Sequence, residues 1–310
     1  MEAIPESPVM QHRQDTLEQV RKMFDLDKPG QIDQAIDILQ EWAKKQPHFI
    51  NKEFDRVYLE GYIIRAKGSV EKAKERLDSM CMLRTTFSHF YKATKANELK
   101  NTKTILEFVL PKQTKDYCTV YFLKNHENNF GDAFLLNYFR RAAMYVDYLC
   151  KYDYNAGMIY VIDVTDTDLL KNMTALTSPF VRQSLLVFFK AYGARVRGLH
   201  ILTNSKLVES IMNVLKPLLG DKVDRLLVHR NQESLFEHVD KDLMPAEYGG
   251  KEEPMHVLAE KMMDFLSTDE VMKYIEELNE HTVDTKIKPI PEEHNEYLGV
   301  SGSFRTLAVD

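Results

Sequence analysis

The sequence predicts an α/β protein with an all-helical N-terminal domain and an α/β domain built on a mostly parallel sheet. Two observations carry that. Apolar residues up to about position 100 recur at helical spacing and form no strand-like run. Beyond residue 101, short continuous apolar runs alternate with amphipathic stretches, the pattern of βαβ units whose strands are buried on both faces. The expected division is 1–100, 101–255, and a segment of C-terminal helices and extended tail over 256–310.

In order, a polar lead ends near Arg13, and a helix begins near Asp15 with Leu17, Val20, Met23 and Phe24 on one face. Lys28-Pro29-Gly30 breaks it. Ile32 to Lys44 and Tyr58 to Arg65 are helical; Gly68 ends the latter and Ser69 caps a helix over Glu71 to Leu83. Strands are expected at Tyr117 to Leu123, Ala156 to Val164, Val196 to Leu202 and Arg225 to His229. Helices are expected at Phe134 to Lys151, Val181 to Tyr192, Leu207 to Leu219, Glu233 to Val239, Met255 to Leu266 and Asp269 to Leu278. From Thr285 the chain reads as irregular.

Composition bounds the chemistry. A net charge of −6 argues against a general nucleic-acid binder. Cys81, Cys118 and Cys150 are far apart in sequence and form no C-x-x-C, so reduced thiols of a cytosolic protein are expected rather than disulfides or zinc. No apolar run approaches the ~18 residues of a spanning helix, and the N-terminus lacks a signal-peptide pattern.

Catalytic motifs fail one by one. There is no Gly-rich phosphate loop and no G-x-S-x-G elbow. Asp163, Asp166 and Asp168 resemble the start of a calcium loop, but no glycine or bidentate Glu follows, so a solvated loop is expected. The histidines lack zinc spacing, and His200, inside an apolar strand, reads as a satisfied structural residue. No catalytic residue, metal site or cofactor is therefore expected. The content of 14 Met, 16 Phe and 15 Tyr fits either an ordinary core or an adaptable apolar pocket, and composition does not separate the two.

Three stretches suggest a family. Leu215-Lys216-Pro217-Leu218-Leu219, Arg225-Leu226-Leu227-Val228-His229 and Leu243-Met244-Pro245-Ala246-Glu247-Tyr248-Gly249-Gly250 resemble, in that order, the CRAL-TRIO lipid-binding proteins. Arg65-Ala66-Lys67 before a helix looks like the family's N-domain signature, and Gly302-Ser303-Phe304-Arg305 is similar to the tail of many invertebrate members. The subgroup it looks most like contains the tocopherol- and retinal-binding proteins.

The resemblance implies an α/β lipid-binding domain with one apolar pocket and a mobile gate helix. By position, the pocket would use Tyr121, Met144, Met158, Ile162, Val187, Phe188, Tyr192 and Leu199. The gate, Ser205 to Leu219, would present Leu207, Val208, Ile211, Met212 and Leu215. Lys67, Arg195, Arg197, Lys222 and Arg225 would hold phosphoinositide headgroups; Arg195 and Arg197, two apart on a strand, are expected to share a face. The family's Asn-x-Pro hinge reads Asn204-Ser205-Lys206 here, and Gly193 replaces the proline expected before the Arg-bearing strand. The expected function is a cytoplasmic, monomeric carrier that binds one tocopherol-, retinoid-, carotenoid- or phospholipid-like molecule. It would associate peripherally and transiently with phosphoinositide membranes. The alternative is a phosphoinositide-reading adaptor that moves no lipid.

Overall fold

The computed structural model describes residues 2–92, 94–99, 104–186 and 192–291. Four helices come first: α1 (Thr16–Lys22), α2 (Gln31–Lys44), α3 (Arg56–Arg65) and α4 (Val70–Thr86). Helices α2, α3 and α4 pack on one another, burying Ile36, Leu39, Leu59, Ile63 and Leu77. The α4 start is as expected, with the Ser69 hydroxyl accepting from the Lys72 amide at 3.3 Å. Helix α1 stops at Lys22, one residue before the expected Met23, which is exposed.

A five-stranded sheet follows: β1 (Ile105–Val109), β2 (Cys118–Asn125), β3 (Gly157–Asp163), β4 (Val196–Leu202) and β5 (Leu226–His229), in the order β1-β2-β3-β4-β5. The last four are parallel; β1 runs antiparallel to β2. Strand β1 has no counterpart in the sequence reading, because Glu107 interrupts its apolar run. That carboxylate is buried, and Arg141 donates to it at 2.6 Å.

Helix α5 (Asp132–Tyr152) crosses one face of the sheet; α6 (Met173–Leu176), α7 (Pro179–Leu186) and α8 (Val208–Leu219) follow it in the chain. Helix α9 (Gln232–Phe236) contacts β4 and β5, α10 (Met255–Leu266) covers β1, and α11 (Asp269–Asn279) packs on α5. Residues 187–191, the end of the expected Val181 to Tyr192 helix, and the tail beyond 291 lie outside the described residues.

The Glu247-Tyr248-Gly249-Gly250 block is structural. A Cβ on Gly250 would sit 1.9 Å from the Met244 carbonyl oxygen, so no side chain fits. Tyr248 is thereby turned under the sheet, where its hydroxyl donates to the Asp163 carboxylate at the end of β3.

Candidate functional site

Period-two alternation and parallel register together build a floor. Tyr121 of β2 stands opposite Tyr160 of β3, Tyr160 opposite Leu199 of β4, and Leu199 opposite Leu226 of β5. All four face a cavity of about 200 Å³. Its roof comes from α5, where Tyr138, Ala142, Tyr145 and Leu149 recur at helical spacing; Leu185 of α7 and Met212 of α8 close it.

Among the described residues the wall holds no carboxylate, lysine, arginine, histidine or cysteine. Two of its tyrosines turn their polar ends away: Tyr121 donates to the Glu107 carboxylate and Tyr145 to the Glu107 carbonyl oxygen. Burial, then Glu107, pushes both phenols well above their ordinary range, and burial pushes the Tyr160 phenol up as well. Such a wall excludes water and binds by dispersion and apolar burial.

Two further spaces abut it. A second apolar lobe, also about 200 Å³, shares Tyr138, Phe139, Ile162 and Leu185 and extends past Val164 and Leu169 at the carboxyl end of β3. A polar annex of about 50 Å³ at the amino end shares Met158, Tyr160 and Tyr192 and adds Arg65, Asp153, Asn155 and Arg195. From Met158 to Val164 the series spans roughly 20 Å at about 3.3 Å per strand residue.

Of the residues expected at the pocket, Tyr121, Met158, Ile162, Tyr192 and Leu199 line the cavity. Met144 does not: it is buried on α5 outside the face carrying Ala142 and Tyr145. Val187 and Phe188 lie outside the described residues. The α5 face was missed, although the spacing of Tyr138, Ala142, Tyr145 and Leu149 would have revealed it.

The gate residues Val208, Ile211 and Met212 are buried against Leu169 and Ile201, with half-buried Leu207 beside them. The side chains of Leu215 and Lys222 lie outside the described residues. Arg230 ties the preceding loop to the helix: one Nη donates to the Ser205 carbonyl at 2.7 Å, and the other pairs with Glu209 at 3.2 Å.

At the amino ends of β3, β4 and β5, Arg195, Arg197 and Arg225 come together. Their proximity shows in Arg195, whose pKa is lowered by burial, then by Arg197 and Arg225. The expected shared face of Arg195 and Arg197 needs correcting. The register shifts between the pairs Met158–Val196 and Ile159–Gly198, and this bulge at Arg197 interrupts the alternation. Arg197 is exposed, while half-buried Arg195 lines the annex and donates to the Ala156 carbonyl at 3.0 Å. Gly157 permits the crossing, since a Cβ there would lie 2.5 Å from Arg197 Cγ. Exposed Arg225 donates to the Val196 carbonyl. Exposed Lys67 sits in the turn after α3, beside Gly68, which approaches the Phe24 carbonyl; Arg195 lies 5.0 Å over the Phe24 ring.

The remaining sequence candidates resolve as structure. Asp163 pairs with Lys124 at 3.1 Å, Asp166 pairs with Lys124 at 2.9 Å, and no metal-binding cluster occurs among the described residues. His200 Nδ1 lies 2.9 Å from His229 Nε2. Burial, then His229 and His238, lower the His200 pKa to about 4. The three thiols are free and buried; burial pushes Cys81 up to about 12 and raises Cys118 and Cys150. No helix among the described residues is long and apolar enough to cross a membrane.

The chain is similar in part to known proteins. Clavesin-1 of Xenopus laevis is 28% identical over 96 residues, which is 30% of this chain and 29% of that protein. The chain therefore spans under a third of that relative. The crystal structure of Sfh5 aligns with 84% of this chain and 96% of its own, at 14% identity and a TM-score of 0.46. The profile of the CRAL/TRIO domain matches residues 105–250, from the first residue of β1 to Gly250 after the Tyr248 turn, and so includes the floor strands, α5 and α8. Residues 105–250 of this chain thus match the CRAL/TRIO domain.

Proposed function

We propose that the protein carries a single hydrophobic molecule, tocopherol-, retinoid-, carotenoid- or phospholipid-like, and exchanges it at phosphoinositide-bearing membranes. The observation that carries this reading is the Tyr121–Tyr160–Leu199–Leu226 floor under an α5 roof, a wall without a charged side chain among the described residues. Supporting it is the basic group of Arg195, Arg197 and Arg225 at one end of the strands. There the acidic chain offers a local positive surface to anionic headgroups. We place the protein in the cytoplasm as a monomer in transient contact with membranes.

Ala142→Phe puts a ring into the cavity from the middle of the roof. Uptake of an apolar fluorescent probe should fall at least about tenfold, the loss of a few kcal/mol of apolar contact and overpacking, while near-UV circular dichroism is retained. Unchanged uptake would place the ligand elsewhere.

In this reading α8 is the gate, and Arg230 holds its hinge. Arg230→Ala frees the Ser205 carbonyl and Glu209, and ligand release to acceptor vesicles should become several-fold faster. An unchanged rate would mean that α8 does not move from this hinge. The exposed arginines also favour a second reading, a phosphoinositide reader that transfers no lipid. Vesicle flotation without intervesicle transfer would establish it.

A further inference from the structure

We propose that the annex beside Arg65 receives the carboxylate of a single-chain amphiphile whose hydrocarbon tail runs through the cavity along β3. This rests on the carrier reading and narrows it to an acidic lipid.

Arg65, at the end of α3, lines the annex. Its Nε and Nη2 are sealed from solvent and have no hydrogen-bond partner. Cys150, Tyr62, Tyr58 and Tyr274 act on it most, Cys150 also as a hydrogen-bond partner, and its guanidinium lies 4.6 Å from the Tyr62 ring centre. Asp147 feels its charge but is already bonded to Arg84 at 2.6 Å. Asp153, the one carboxylate among the described residues of the annex wall, is committed as well: its oxygens take His12 and Gln113, each at 3.2 Å, and Asn155 at 2.6 Å. Arg195 supplies a second cation to the same wall. A buried guanidinium with unfilled donors calls for an oxyanion, and two planar donors match a carboxylate bidentately. A space of about 50 Å³ accommodates a carboxylate rather than a glycerophosphate head. Beyond it the apolar path of roughly 20 Å suits a chain of about sixteen carbons.

The test uses delipidated full-length protein at pH 8 with palmitate, hexadecanol and hexadecyl phosphate. Palmitate should bind about 10- to 100-fold more tightly than hexadecanol, the worth of a charge-assisted hydrogen bond. Arg65→Gln should remove that preference by weakening palmitate and leave hexadecanol unchanged. Arg195→Gln should reduce the preference several-fold, which keeps the test open should Arg65→Gln fail to fold. Equal binding of palmitate and hexadecanol by the unaltered protein, or a preference that survives Arg65→Gln, overturns the inference while the carrier reading stands. Hexadecyl phosphate bound more tightly than palmitate overturns the carboxylate assignment. Binding of none of the three overturns both readings.

Discussion

Arg84→Met is expected to lower the unfolding free energy by about 3–5 kcal/mol, a large part of the margin of an ordinary domain. Arg84 of α4 joins three elements. It donates to Asp147 of α5 at 2.6 Å and to Asn279 of α11 at 2.5 Å, and lies 4.6 Å over the Tyr91 ring. Both members of the ion pair are buried, so the variant leaves Asp147 charged in a dry interior. Burial already raises the Asp147 pKa, and Arg84 is the chief influence holding it down. Without Arg84 the folded state holds that proton more firmly than the unfolded chain does. Stability of the variant therefore falls as pH rises from the unfolded value toward the raised folded one, and its deficit shrinks in acid. Urea unfolding at pH 5 and pH 8 measures this. Adding Asp147→Leu should recover most of the loss, because removing both charges avoids an unpaired one. A single variant as stable as the unaltered protein would contradict the account.

Reversing Arg197 and Arg225 together to Glu should weaken binding to phosphoinositide vesicles by at least about 30-fold. Each basic residue at an anionic surface contributes about 1 kcal/mol, and the introduced carboxylates add repulsion. Both side chains are exposed, and neither lines the cavity, so capture of an apolar probe should be preserved. The difference from the unaltered protein should narrow at high salt, as screening shortens the reach of both charges. Flotation and probe titration on the same preparation separate the effects. Loss of both would point to structural damage, through the bond from Arg225 to the Val196 carbonyl.

The residues that escaped the sequence reading did so for local reasons. Strand β1 was hidden by Glu107, whose burial makes sense only once Arg141, 34 positions later, is seen donating to it. Met144 was placed at the pocket by position in a resemblance, whereas the rotation of α5 over the sheet sends Ala142 and Tyr145 there. The spacing of Arg195 and Arg197 implies a shared face because spacing assumes an unbroken pleat, and the bulge at Arg197 interrupts it. In sequence Arg65 reads only as part of an N-domain signature, since nothing in a linear sequence shows that nitrogens of a guanidinium lack a partner.

What the sequence determined by itself was the order and kind of elements. The helical first part, the β2, β3, β4 and β5 runs, and the turn ending in Gly250 all follow from periodicity, capping and glycine. Those are short-range properties, settled by neighbours within a turn or a pleat. Only the tertiary structure decided that the apolar faces of four strands and one helix stand apart far enough to enclose a cavity rather than a filled core. Burial of an apolar side chain stabilises the fold through the water it leaves, and the pattern it writes along the chain is the same whether it meets another side chain or an empty space that a ligand can fill.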